Sequence, residues 1–134
     1  MMAFLPGLIT YAMNKNVFQV FAAANDGLFD CPPYPKGFAT IAGGYQAAKN
    51  IIVVASTDKE YVNADNSSRG PLRDGRLKPE ITAVGVDVIS DTKNDEYLVA
   101  SGTSMACPQV AGAAALLTER IRQLGGSLTP RSDV

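Results

Sequence analysis

The clearest chemistry in the chain lies in Ser101-Gly-Thr-Ser-Met-Ala-Cys-Pro108, at the start of a long apolar run with helical spacing. A serine hydroxyl becomes a useful nucleophile only when a base takes its proton and a positive local field favours the charge that develops. The N-terminus of a helix supplies part of that field. Pro108 marks the first turn as unusual, because it has no N–H to bond the Ser104 carbonyl four residues earlier. Alternatively, Thr103 or Ser104 simply caps the helix. Cys107 is a second candidate nucleophile, but a thiolate needs a partner that lowers its pKa. The chain contains no histidine. Cys107 therefore reads better as a small packed side chain beside Ser104, and any imidazole base for Ser104 has to come from outside this chain.

A second candidate is Asn25, at the end of the apolar run Val17-Phe-Gln-Val-Phe-Ala-Ala23. A carboxamide donates hydrogen bonds without titrating, and the end of a strand can hold it rigidly. Taken alone, Asn25-Asp26-Gly27 is an ordinary turn signal.

The elements that must carry these residues follow from the apolar pattern. Ala3 to Asn14 has apolar positions at rough helical spacing, with Pro6 near its start. Val17 to Ala23 and Ile51-Ile-Val-Val-Ala55 read as strands buried on both faces, as in a parallel sheet. Between them lies a loop rich in proline and glycine, with one helical turn expected within Tyr45 to Asn50. Lys59 to Pro79 is polar and full of turn residues, a long loop of the kind that more often serves function than not. Within it, Arg69 and Asp74 are expected to hold the loop by ion pairs or turn bonds. Short strands are expected near Ile81, over Val86 to Ile89 and over Glu96 to Ala100. The closing helix, Ser104 to Leu124, carries Val110, Ala111, Ala114, Leu117, Ile121 and Leu124 on one face. Its first half is apolar nearly all round, so it should start deep in the protein and emerge towards Glu119, Arg120 and Arg122. Gly125-Gly126 stop it. Helix, strand, crossover and strand in this order make an α/β protein.

At 134 residues, with 46% hydrophobic and 19% charged side chains, the chain has a globular balance and fits one domain or part of a larger one. Twelve basic and thirteen acidic residues leave a net charge of -1, which gives no basic face for nucleic acid. No apolar run approaches the ~20 residues that span a bilayer, so no membrane partner is expected. The N-terminus has neither a basic n-region nor a small-residue cleavage site, and does not read as a signal peptide. Cys31 and Cys107 make neither a disulfide framework nor a zinc site, although a single bridge between them is conceivable.

Four segments together resemble one family. Gly102-Thr-Ser-Met-Ala106 with Pro108 and Val110-Ala-Gly112 resembles the nucleophile signature of subtilisin-like serine proteases (subtilases). Phe21 to Gly27 resembles their oxyanion-asparagine strand end, Ala48 to Ser56 the next core strand, and Ser67 to Ile81 the loop and strand entry before the nucleophile. The order is the family's, and the match runs from about Val17 to Leu124. Four ordered motifs are far more specific than one.

The resemblance implies a three-layer αβα fold with a mostly parallel sheet. Residues 1–134 would form only the C-terminal half of the catalytic domain. It further implies that Ser104 is the acyl-forming nucleophile, and that the Ser104 N–H and the Asn25 amide stabilise the oxyanion. Ala22, Ala23 and Ala24 would line a wall of the substrate pocket, with Gly102 and Thr103 completing the substrate-binding set. The substrate is a polypeptide. The family's triad runs aspartate, histidine, serine along the chain, so the first two belong to an N-terminal half that this sequence does not contain. Without them this chain is expected to be inactive. No cofactor or metal is required for the chemistry. Family members often bind structural calcium, but no such site can be read here. Secretion is implied by the family alone.

Some residues depart from the family pattern. Ala24 stands where glycine is usual, so its methyl should narrow the pocket towards small or medium side chains. Val84 replaces a common proline, Gln109 a frequent non-catalytic histidine, and Asn66 a frequent apolar residue. A binding or regulatory module derived from a subtilase is the alternative function; the retention of Ser104 and Asn25 argues against it.

Overall fold

Two apolar runs build the centre of the sheet. In the computed structural model, which describes residues 9, 11–12, 15, 17–41 and 43–126, strand β1 (Val20–Ala22) pairs in parallel with β2 (Ile52–Thr57), aligning Phe21 with Val53. Strand β3 (Ile81–Val84) pairs in parallel along the other edge of β2. The sheet order is β1-β2-β3. The central strand is covered on both faces: Val53 and Val54 point to opposite sides and both are fully buried. Each such burial favours folding by about 1.5–3 kcal/mol relative to an exposed side chain.

One face of the sheet meets Ile9, Ala23, Ile41, Ile51 and Leu72, which cluster with Val53. The helix α1 (Thr103–Gln123) lies on the other face and contacts all three strands. The sheet is therefore layered between the helix and a second apolar layer, as the αβα reading requires. The expected helix from Ala3 to Asn14 falls largely outside the described residues; Ile9, Tyr11 and Ala12 within it are helical. The turn expected after Tyr45 is a single 3-10 turn, Gly44–Ala47.

Strands β4 (Val88–Asp91) and β5 (Tyr97–Ala100) form a separate antiparallel hairpin. Asn94 and Asp95 take φ of 61° and 57° at its tip, a left-handed conformation that these two residue types tolerate. The loop before β3 is polar yet partly buried. Lys78 pairs with Glu80, donates from Nζ to the Ile51 carbonyl (3.2 Å) and is only 6% exposed. Glu80 in turn accepts the Val53 N–H at 2.8 Å. This pair fastens the loop to the start of β2.

Two expectations from the sequence need correction. Strand β1 is shorter than Val17 to Ala23 and lies at the sheet edge, with Val17 and Phe18 more than half exposed. Helix α1 does start buried, at Thr103 and Ala106, but the all-round apolar stretch from Val110 to Leu117 is not covered on all sides: Leu116, Leu117 and, at the helix end, Leu124 are 61–70% exposed. The reason is the same for both. Among the described residues β1 has a strand on one side only, and α1 packs on the sheet with just one of its faces. A groove of about 440 Å³ opens between them, lined by Phe18 and Val20 and by Ala111, Ala115 and Thr118 of the helix.

Candidate active site

Ser104 is the second residue of α1 and is exposed. The free N–H groups of a helix start must find acceptors, and here their distribution is uneven. Thr103 N–H is taken by Asn25 Oδ1 at 3.0 Å, and Met105 N–H by the Gly102 carbonyl at 3.0 Å. Between them, the Ser104 N–H has no acceptor among the described residues. Pro108 lies inside the helix and leaves the Ser104 carbonyl without its usual donor.

The residue at the cap position is Gly102, with no capping side chain of its own. Neither Thr103 nor Ser104 caps the helix, which corrects that alternative. The cap comes instead from Asn25, 78 residues earlier. Its Oδ1 accepts from both the Thr103 N–H (3.0 Å) and the Thr103 hydroxyl (3.1 Å). Holding the oxygen this way fixes which end of the amide points where. The Asn25 Nδ2 group is left with no acceptor among the described residues. Two donors without acceptors, Nδ2 of Asn25 and N–H of Ser104, thus stand at one helix start, and neither can titrate near neutral pH.

Two glycines let the backbone approach this closely. A methyl on Gly102, whose φ is +149°, would sit 3.1 Å from Asn25 Nδ2. A methyl on Gly85 would come within 2.6 Å of the Gly102 carbonyl, and the Gly102 N–H donates to the Gly85 carbonyl at 2.7 Å. Gly85 is in turn tied to β2 through the Thr57 carbonyl at 2.8 Å. On the hairpin side, the Ser101 hydroxyl accepts from Asp87 N–H at 2.9 Å and faces its carboxylate at 3.2 Å. Gln109 Nε2 bonds the Val84 carbonyl at 2.6 Å and joins the helix to the end of β3.

No hydrogen bond joins the Ser104 hydroxyl to a described residue, and no group here could serve as its imidazole base. Cys107 is half-buried, and burial pushes its thiol above the usual range, so it stays a thiol at neutral pH. Cys31 and Cys107 are both free. Among the described residues no cluster of three or more metal-ligating side chains occurs, and no helix is long and apolar enough to cross a membrane.

The sequence model of the subtilase family matches residues 4–132. The chain belongs to the subtilase family. Among curated relatives, the thermophilic serine proteinase of Bacillus sp. (strain AK1) is 34% identical over 121 residues, covering 88% of this chain and 25% of that protein. The C5a peptidase of Streptococcus pyogenes is 42% identical over 64 residues, covering 48% of this chain and 6% of the relative. The solved structure of the patellamide maturation protease PatA superposes with a TM-score of 0.76 at 25% identity, covering 96% of this subtilase chain and 42% of PatA. The chain thus spans a quarter or less of these two curated relatives.

Within this subtilase the expected site residues separate into groups. Ser104 and Asn25 are both exposed and meet at the start of α1. Gly102 and Thr103 are buried, and Thr103 spends its N–H and hydroxyl on Asn25. They face the amide, not an open pocket. Ala23 is fully buried in the apolar cluster with Ile41 and Val53, so its side chain cannot line a pocket wall; Ala22 and Ala24 are half-buried. Arg69 holds the loop by a turn bond, donating to the Ala64 carbonyl at 3.1 Å, and lies over the Phe38 ring; it has no ion pair among the described residues. Asp74 does pair, with Arg76 at 2.7 Å. Gly85 was not singled out, its trace being its place just after Val84 and the β3 apolar run; Ser67 and Ser68 were marked only as part of the family-like loop from Ser67 to Ile81, not as site residues.

Proposed function

We propose that this chain is the nucleophile- and oxyanion-bearing part of a serine endopeptidase that hydrolyses peptide bonds through an acyl-enzyme on Ser104. The supporting observation is the pair of donors without acceptors, with Asn25 clamped by Thr103 so that Nδ2 is its free end. Ser104 Oγ attacks the scissile carbonyl carbon while an imidazole accepts the hydroxyl proton. The carbonyl oxygen gains negative charge, which the Ser104 N–H and Asn25 Nδ2 stabilise. The C–N bond then breaks, the amine leaves with the proton from the imidazolium, and water releases the acyl group by the reverse proton path. Loss of one such donor costs on the order of 10²–10³ in turnover, a magnitude measured on the asparagine of a subtilisin.

The histidine and its orienting aspartate come, in this proposal, from further polypeptide of the same domain. That polypeptide seats on the open edge of β1 and the uncovered face of α1. The larger size of the relatives and the apolar groove beside Phe18 and Ala115 support this. The polypeptide substrate runs past Ala22 and Ala24 on one side of Ser104. No cofactor takes part, and export from the cell belongs to the same proposal. A fluorophosphonate probe, which needs an activated serine, tests the scheme. It should leave the chain alone unlabelled and label the intact domain at Ser104. Labelling of the isolated chain, or undiminished labelling of an intact Ser104→Ala domain, would overturn it.

A further inference from the structure

The Asn25 donor stands on a backbone that would not adopt its shape unaided. Ala24, immediately before it, has φ of +82°, a left-handed conformation that costs an alanine energy and that glycine adopts freely. One residue grips the chain on both sides of Asn25. The Ser68 N–H donates to the Ala24 carbonyl at 3.0 Å, and the Ser68 hydroxyl accepts from the Asp26 N–H at 2.9 Å. Ser68 itself is fully buried, so water reaches these two bonds only from the half-buried Ala24 and Asp26 side. Its own segment is fixed from behind. Ser67 Oγ accepts the N–H of Ser56 in β2 at 3.0 Å, and the Asn66 carbonyl accepts the Gly27 N–H at 2.9 Å. Ser56 also lies against Gly85, the glycine on which Gly102 docks. Both walls of the oxyanion site therefore hang from the same stretch of β2.

We propose that Ser68 is a positioning residue for the oxyanion donor: it holds the strained Ala24–Asp26 turn so that Asn25 meets Thr103 with its Nδ2 free. This rests on the proteolytic reading given above. The Thr103 clamp orients the amide about its own axis, whereas Ser68 sets where the amide begins. Removing the Ser68 hydroxyl leaves the half-buried Asp26 N–H without its acceptor and loosens one of the two grips. The turn can then relax towards negative φ and carry Asn25 away from Gly102.

The test is a double-mutant cycle in the intact domain, reading kcat and KM on a chromogenic peptide. Ser68→Ala should lower kcat by about 10-fold or more, within the 10²–10³ that loss of a whole donor costs, with KM changed less than about twofold. In an Asn25→Ala background the same Ser68→Ala change should alter kcat by less than about twofold, because nothing remains to be positioned. Should Ser68→Ala not fold, the cycle is run in an Ala24→Gly background, where the turn is unstrained; the Ser68 effect is then smaller but must still vanish with Asn25→Ala. An equal kcat loss with and without Asn25, or a kcat within twofold of the parent, would overturn the proposal. If Asn25→Ala itself leaves kcat unchanged, the oxyanion reading fails instead.

Discussion

Replacing Gly102 by alanine perturbs the oxyanion site without removing any polar group from it. The added methyl would stand 3.1 Å from Asn25 Nδ2, 3.4 Å from Oδ1 and 3.6 Å from Cγ. The first distance is tighter than side chains normally accept, so the amide must retreat by a few tenths of an ångström. It cannot do so freely, because Oδ1 is held at 3.0 Å and 3.1 Å by Thr103. Retreat therefore lengthens those bonds or tilts Nδ2 away from the oxyanion position, where a donor works at about 2.7–3.1 Å. Misplacement of a catalytic group by about 1 Å can cost 10²-fold. We expect kcat of the intact domain to fall between about 10-fold and the 10³-fold ceiling of losing the donor. This corresponds to about 1.4–4 kcal/mol of barrier. The backbone adds a separate cost, since φ of +149° is poor for alanine and is worth about 1–3 kcal/mol of stability. The two effects separate experimentally: steady-state kinetics on a peptide substrate reads the first, and urea unfolding reads the second. A Gly102→Ala domain that loses stability but keeps kcat within threefold would refute the placement of Asn25 as the donor.

Two further outcomes follow from the same coordinates. On the proposed reading, in which the substrate passes Ala24, its methyl should narrow the pocket, so a panel of peptides varied at the residue before the scissile bond should favour small or medium side chains. A preference for bulky aromatic residues would contradict that. Asp74 has its carboxyl lowered below the usual range, chiefly by its side-chain hydrogen bond with Arg76. A lowered folded pKa gives stability that is present above the unfolded value and disappears as pH falls through the folded one. Asp74→Asn should therefore lower the urea midpoint slightly at neutral pH. The gap from the parent should close in acid; a gap that widens on acidification would contradict the assignment.

Much of the candidate site was legible in the chain because its signals are local. Ser104 was marked by a small-residue turn feeding an apolar helix with Pro108 in its first turns, and Asn25 by the abrupt end of an apolar run. Strand β2 was readable for the same reason: a continuous β-branched run suits only a strand covered on both faces. The alanine-rich helix misled on burial because composition reports what a surface is suited to touch, not whether a partner lies against it. Its exposed Leu116 and Leu117 show a face suited to packing with no described layer upon it.

What the sequence by itself determined was the inventory: a nucleophile without a base, a candidate amide donor, two central strands, and the family to which their order points. Only the tertiary structure decided that Asn25 caps the helix of Ser104, that Thr103 serves the amide, that Ala23 belongs to the core, and that Ser68 grips the turn. Those contacts join residues 42 and 78 positions apart. Periodicity and local propensity extend over a few turns of chain at most. The pairing of distant polar groups is selected when the sheet brings them together and their N–H groups lose access to water.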